Sequence, residues 1–392
     1  MILSSRTQAA IEILDQVIAS AEADGPPADA VVQRYFKTRR YAGSKDRRAV
    51  RELAFRAIRA VGERPASGRT AMLALAAGDA ELAATFDGST HGPAAIGEAE
   101  QGAELSLLPH WIEARLSSQV GADEWPALLE RAPLDLRVNA ARSPRDVLTP
   151  HFPGATPTRL SPWGLRLPPD SQISNDPAFT DGRVEVQDEG SQLIALACAA
   201  DDGMTIVDLC AGAGGKALAL AAAAPGARIV AADTNRQRLA QLDPRAARAG
   251  ATLETRLLDG GREAEQLADL AGLADVVLVD APCSGSGTWR RNPEGRWRLT
   301  PDRLDRVVAL QARLLDLAVP LVRPGGALVY ATCSILAAEG AGQADDFLGR
   351  HSSWCGQDVG FGGGRDDGAG RLLTPAHDAT DGFFVARFTG PC

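Results

Sequence analysis

The sequence predicts a chain of class α/β, in which a doubly wound domain with a parallel sheet follows a helical N-terminal domain and a small connecting α+β lobe. Three observations predict it. After Asp202 one pattern recurs in "MTIVDLC", "ARIVAAD", "LETRLLD", "ADVVLVDAP" and "GALVYATCS": an apolar strand ends in a polar or small residue and, for the most part, a helical stretch follows. Up to about residue 130, "AAIEILDQVIASA" and "AVRELAFRAIRAV" carry apolar residues at helix spacing, with Gly and Pro at the joints. Between the two, "PLDLRVNAA", "GATPTRLSPWGLRLPPD" and "GRVEVQDEGS" alternate as short strands and turns. The expected division is a helical domain over 1–130, a lobe over 131–202 and the doubly wound domain over 203–392, and 392 residues are ample for several cores.

The helical part, first in order, is simplest to justify as a bundle that packs apolar stripes together. It also holds the chain's most uneven charge. The formal net charge is −9, which speaks against a general nucleic-acid binder, yet Val31 to Ala60 holds ten Lys or Arg against only Asp46 and Glu52. Such a cluster is an electrostatic footprint for phosphates; a solvated helix face is the plainer reading. The first residues show no basic-then-apolar leader, and no apolar run approaches the roughly 20 residues that span a bilayer, so a cytoplasmic protein without membrane contact is expected. Six cysteines, at 198, 210, 283, 333, 355 and 392, form no CxxC pair and have no His cluster beside them. That argues against a metal site and a disulfide framework, and predicts reduced thiols.

The first strand of the doubly wound domain runs into "DLCAGAGGK", Asp208 to Lys216, and then a helix. Glycines at that point let the backbone approach a ligand where an open α/β sheet binds one. The spacing is not that of a nucleoside-triphosphate loop, and by itself the loop leaves a dinucleotide open. The second strand ends in Asp233, whose carboxylate could accept both ribose hydroxyls of an adenosine. The third closes on Asp259, which could meet an adenine amino group. Singly, each acid reads equally well as a helix cap or turn residue; at successive strand ends, they would face one crevice.

The last two strands each deliver a cysteine to a strand end, in "DAPCSGSGTWRRNPEGRW" (Asp280 to Trp297) and in "LVYATCS" (Leu328 to Ser334). Two thiols beside an acid suit methylation of cytosine at carbon 5, a poor nucleophile until a thiolate adds at carbon 6. The adduct must then lose its carbon 5 proton and expel the sulfur, which calls for a second assisting group. Asp280 could hydrogen-bond the cytosine ring nitrogen or amino group. Cys198, Cys210, Cys355 and Cys392 read instead as small buried hydrophobes.

Over nearly its whole length the chain resembles the RsmB/Sun family of RNA (cytosine-5) methyltransferases. The resemblance is clearest in "VQDEGSQL" at 186–193, "DLCAGAGGK", "DAPCSGSGTWRRNPEGRW", "LVYATCS" and "DGFFVARF" at 381–388. It implies a Rossmann-like methyltransferase domain, S-adenosylmethionine as cofactor, and RNA as substrate, with small-subunit ribosomal RNA the leading target. By the same likeness Cys333 is the nucleophile and Cys283 assists release of the product. The implied cofactor site comprises Cys210, Ala211, Gly212, Ala213, Gly214, Gly215, Lys216, Asp233, Arg238, Asp259 and Asp280. "GSKDRRAVRELAFRAIR" is the best match to the NusB-like RNA-binding domain that bacterial members carry, and a monomer is expected.

Two departures stand out: Gly212-Ala213 replaces the family's usual Ala-Pro, and "ILAAEG", Ile335 to Gly340, replaces a Pro-Glu-Glu-Asn stretch after the nucleophile, removing an Asn and a Glu. Arg290, Arg291, Arg296 and Arg298, beyond Cys283, are expected to grip phosphates flanking an unstacked base, with Trp289 or Trp297 as a stacking surface. Ion-paired surface residues are the plainer reading. The rival functions are a tRNA (cytosine-5) methyltransferase, a non-catalytic RNA-binding assembly factor on the same fold, a DNA cytosine methyltransferase with its nucleophile in the Pro-Cys motif, and an amino- or hydroxyl-group methyltransferase that needs no thiol. Intact Cys283, Cys333 and Asp280 argue against the assembly factor.

Overall fold

The computed structural model describes residues 1–168 and 171–390, which divide into two compact units. The first comprises Met1–Leu116, Ala122–Glu130 and Thr288–Pro301; the remainder forms the second. The first unit is built on helices Leu3–Glu22, Ala28–Lys37, Ser44–Ala60 and Gly68–Ala76. Helix Leu3–Glu22 buries Ala10, Ile13, Leu14 and Val17, the i, i+3, i+4, i+7 stripe of a helix with one face in a core. Ser67 caps helix Gly68–Ala76 by accepting from the Thr70 N–H, and Thr70 returns the bond to the Ser67 backbone. Gly68 lets two helices touch. A Cβ there would stand 2.8 Å from the Leu14 Cβ, and its own N–H donates to Asp15 Oδ1 at 2.6 Å.

Segment Thr288–Pro301 corrects the expectation for Trp289, Arg290, Arg296, Trp297 and Arg298, while Arg291 is half-buried. Trp297 is a core residue of the first unit, its indole N–H donating to the Val61 carbonyl at 2.9 Å. Arg296 is buried and donates to the carbonyls of Pro293, Leu107 and Ile58. Arg298 donates to Gly25 and Pro26, both at 2.8 Å. Trp289 and Arg290 are buried too. Rather than an RNA-gripping loop, the segment is a polar clamp on carbonyls around helix Ser44–Ala60 and the turn after helix Leu3–Glu22, which a guanidinium with five donors is suited to satisfy. Sequence order places these residues with the strand they follow; their packing belongs to the helical unit.

The second unit contains two sheets. The smaller is antiparallel, in the order β2-β3-β1-β4, from β1 (Leu134–Val138), β2 (Thr156–Pro157), β3 (Gly164–Leu167) and β4 (Val184–Val186). It has its own apolar cluster, including Leu136, Val138, Phe152, Leu165 and Val184. It nevertheless belongs to the same unit as the larger sheet, because buried polar groups stitch the two together. Arg137 donates to the Gly215 carbonyl at 2.7 Å, Gln192 to the Leu136 carbonyl at 3.3 Å, and Glu189 accepts from the Leu160 and Ser161 N–H groups. The "VQDEGSQL" stretch is thus a rivet. Its Asp188 caps helix Glu189–Ala197 through Gly190 and also accepts from the Asp381 N–H at 3.1 Å, at the start of the closing "DGFFVARF".

The larger sheet runs β11-β12-β13-β9-β8-β5-β6-β7, with β10 also paired to β13. In chain order its strands are β5 (Thr205–Asp208), β6 (Arg228–Asp233), β7 (Glu254–Leu257), β8 (Ala274–Asp280), β9 (Val322–Thr332), β10 (Cys355–Gln357), β11 (Arg365–Asp367), β12 (Gly370–Leu373) and β13 (Phe383–Gly390). Strands β9, β8, β5, β6 and β7 are mutually parallel; β13 joins β9 antiparallel. Strand order reverses between β5 and β8, and a ligand crevice opens at the carboxyl ends of strands flanking such a point. Five strands therefore deliver Asp208, Asp233, Leu257, Asp280 and Thr332 to one edge of the sheet.

Candidate active site

At that edge lies a cavity of about 470 Å³, lined by Cys210, Asp233, Arg238, Asp280, Cys283 and Cys333 among others. Its apolar wall includes Leu209, Leu258, Leu310 and Leu314. The loop between β5 and helix Gly215–Ala223 is held by backbone geometry. Gly212 and Gly214 lie in the left-handed region, at φ 56° and 81°, and a side chain on either would overlap Arg238 or Leu242. The Gly212 N–H donates to Asp233 Oδ2 at 2.7 Å, and Oδ1 accepts from the Asn235 N–H at 2.6 Å. Asp233 is thereby fixed in place, with lone pairs left for a diol. Of the loop residues anticipated at the site, Cys210 lines the cavity, while Ala211, Gly212, Ala213, Gly214 and Gly215 are not among its lining residues.

Lys216 acts one layer below. Its Nζ meets Asp280 Oδ2 at 2.5 Å. Burial opposes the ammonium charge, yet contact with Asp280 and the nearby Asp208 hold its pKa above the ordinary value. Asp208 is buried at the end of β5, and burial, reinforced by Asp280, pushes its carboxyl up to about 7. Asp259 is not among the residues that line this cavity. It is exposed, and both its N–H and its carboxylate bond the side chain of Gln266, at 2.7 and 3.0 Å, while its neighbour Leu258 lines the cavity instead.

The two thiols come together as the strand ends require, with Sγ of Cys283 3.3 Å from Sγ of Cys333. Contact with Cys333, then burial, then the charge of Glu339 push the Cys283 thiol well above its usual value. Glu339 received no role from the sequence. It is the glutamate that remains in Ile335 to Gly340, and it is fully buried between the two cysteine loops. Gly340, where the family pattern has Asn, lies against Phe384; a Cβ there would stand 2.9 Å from the ring. Among the other cysteines, Cys198 is buried as expected and Cys210 faces the cavity. Cys355 is exposed and disulfide-bonded, against the expectation of a reduced, buried thiol; Cys392 lies outside the described residues. Among the described residues no group of His, Cys, Asp or Glu is arranged to hold a metal, and no helix is long and apolar enough to cross a membrane.

A doubly wound sheet whose switch-point crevice is walled by a glycine loop and strand-end acids defines the second unit as a Rossmann-like methyltransferase domain. A crystal structure of the protein named PH0851 shares the fold, with a TM-score of 0.77 and 23% identity over 100% of both chains. So does NSun6 from Pyrococcus horikoshii with SFG, with a TM-score of 0.59 and 19% identity, covering 67% of this chain and 92% of that one. The family model for 16S rRNA methyltransferase RsmB/F matches residues 194–389. Ribosomal RNA small subunit methyltransferase B of Sodalis glossinidius is 33% identical over 308 residues, covering 75% of this chain and 68% of that protein. Its counterpart in Salmonella arizonae is 34% identical over 289 residues, covering 72% and 66%. The match spans about two thirds of the length of these relatives. The chain belongs to the RsmB/F family of methyltransferases, and its cofactor is S-adenosylmethionine. The residues present fit that molecule: the cavity has the size of a small-molecule site, Asp233 is held to accept a ribose diol, and leucines offer an apolar face for a base.

Proposed function

We propose that this protein methylates carbon 5 of a cytosine in RNA, most specifically small-subunit ribosomal RNA, through a covalent cysteine–cytosine adduct. The observation that supports this reading best is the pair of thiols 3.3 Å apart at the wall of a cofactor-sized cavity that also exposes Asp280. When bound, S-adenosylmethionine supplies an electrophilic methyl group. Cys210, Asp233, Arg238 and Asp280 would hold it, with Gly212, Gly214 and Lys216 shaping their positions. Cys333, as thiolate, adds to carbon 6 and makes carbon 5 nucleophilic. Asp280, fixed by Lys216, accepts from the cytosine amino group and keeps the ring in register with the sulfur. After transfer, solvent water or hydroxide takes the carbon 5 proton, and the electron pair left at carbon 5 re-forms the 5,6 double bond as the Cys333 sulfur leaves carbon 6. Cys283, in contact with that sulfur and held protonated, hydrogen-bonds it as it departs.

RNA as the polymer is supported by the names of the curated relatives and by cations in the first unit. Arg34, Lys37, Arg40, Lys45 and Arg48 are exposed at the ends of helices Ala28–Lys37 and Ser44–Ala60, and among the described residues they make no ion pair. Labelled S-adenosylmethionine with unmodified small-subunit ribosomal RNA, followed by nucleoside analysis, tests the reading. 5-Methylcytidine is the expected product. Label in another nucleoside would overturn the chemistry, and label in transfer RNA alone would replace the substrate.

A further inference from the structure

Between the two cysteine loops lies one buried charge without an assigned duty. The Glu339 carboxylate takes four hydrogen bonds. Oε1 accepts from the Ser284 N–H at 2.8 Å and from Gln311 Nε2 at 2.9 Å; Oε2 accepts from the Ser334 hydroxyl at 2.6 Å and from the Ser284 hydroxyl. Ser284 follows Cys283, and Ser334 follows Cys333. A third serine, Ser286, completes the knot, its hydroxyl 2.9 Å from that of Ser334 and accepting the Ile335 N–H at 3.0 Å. Gln311 also donates to the Pro282 carbonyl at 3.0 Å, which binds the Cys283 loop from its other side. The backbone carbonyl of Glu339 accepts from the Tyr330 hydroxyl at 2.8 Å, which anchors the residue to β9.

We propose that Glu339 is a positioning residue for the two-thiol centre, tying the loop of Cys283 to the strand end of Cys333 so that the two sulfurs meet and take different duties. A serine after each cysteine gives each loop a hydroxyl, and one carboxylate accepts both. Two loops 50 residues apart in sequence are thereby set to one geometry. The second duty is electrostatic. A negative charge this close to Cys283 disfavours a second one on its sulfur, adding to the contact with Cys333 and the burial that hold the proton there. The other ionisable groups around the centre are Cys333 itself, Asp280 with its partner Lys216, the buried Tyr330 hydroxyl, and Glu263 with Arg313, which pair at 2.9 Å on the cavity wall.

The inference deepens the two-thiol reading, and the alkylation arm of its test is independent of methyl transfer. The rate of Cys283 alkylation by iodoacetamide is followed by peptide mass spectrometry from pH 6 to 11 in the wild type, Glu339→Gln and Ser284→Ala. In the wild type the midpoint should lie above the ordinary thiol range of about 8–9. Glu339→Gln should lower it, read as a faster reaction at pH 8. Ser284→Ala, which keeps the charge and loses one tie, should leave the midpoint in place while kcat for methylation falls with KM for the cofactor unchanged. Identical profiles for Glu339→Gln and the wild type would overturn the proposal. If Glu339→Gln does not fold, Ser334→Ala, which removes the tie on the Cys333 side, decides instead: a lower kcat with KM for the cofactor unchanged supports the positioning role, and wild-type kcat overturns it. An inactive protein with the expected profiles would sink only the cytosine reading.

Discussion

Asp233 shows how one residue serves both fold and site. Its two oxygens each accept a backbone N–H, from Gly212 and Asn235, so the carboxylate is rigid before any ligand arrives. Rigid acceptors bind better because little ordering remains to be done. Asp233→Ala removes a charged acceptor and loosens the loop, and it should weaken S-adenosylmethionine roughly 10–100-fold, the range for a hydrogen bond to a charged group. Calorimetry on the folded variant checks this, and unchanged affinity would remove Asp233 from the cofactor site. Asp259 is the contrasting case. It closes a strand as Asp233 does, yet Gln266, seven residues on, takes both its backbone and its side chain. Strand-end position alone does not show which of the two lines the cavity, because the Gln266 contact is a local turn feature with no periodic signature.

At the scale of elements, the strands, glycine loop and two cysteine loops were legible because each carries a short pattern with one physical cause: apolar runs for buried strands, glycines for positive φ, and thiols at strand ends. Segment Thr288–Pro301 was not, because its partners, Ile58, Val61 and Leu107, are remote in sequence. Trp297→Ala should therefore act on folding. A cost of about 3–5 kcal/mol is expected for a buried Trp, read as a lower denaturant midpoint, with salt dependence of RNA binding unchanged in the protein that remains folded. Glu339 was equally hidden. The available signal was the repeated Cys-Ser pair, whose two hydroxyls need an acceptor once buried together.

Asp208 yields a prediction at the same scale. Its folded pKa of about 7 lies above the unfolded value, so the native state holds the extra proton and stability falls as pH rises from about 4 to about 7. Asp208→Asn keeps the shape and removes the titration. Relative to the wild type, its melting temperature should rise progressively across that window and stay several degrees higher at pH 8. A constant difference between pH 5 and pH 8 would show that the carboxyl titrates normally.

For the molecule as a whole, the net charge of −9 conceals a local cationic surface, and the structure divides its members by task. Arg39 pairs with Glu12 and covers Tyr35, and Arg47 donates to the Ala42 carbonyl, so both are spent on the fold. Replacing Lys37, Arg40, Lys45 and Arg48 with Ala should instead weaken RNA binding and reduce its salt slope by roughly 0.7–0.9 for each phosphate no longer neutralised. Equal slopes for variant and parent would show that RNA binds elsewhere. The central claim, a covalent cytosine adduct with the two thiols in separate duties, is tested most directly by incubating Cys283→Ala and Cys333→Ala with S-adenosylmethionine and unmodified small-subunit ribosomal RNA, then resolving them by denaturing electrophoresis. Cys283→Ala should add, methylate and stall, leaving an RNA–protein band that survives denaturation, whereas Cys333→Ala should form neither adduct nor product. An adduct with Cys333→Ala and none with Cys283→Ala would contradict the account by making Cys283 the nucleophile.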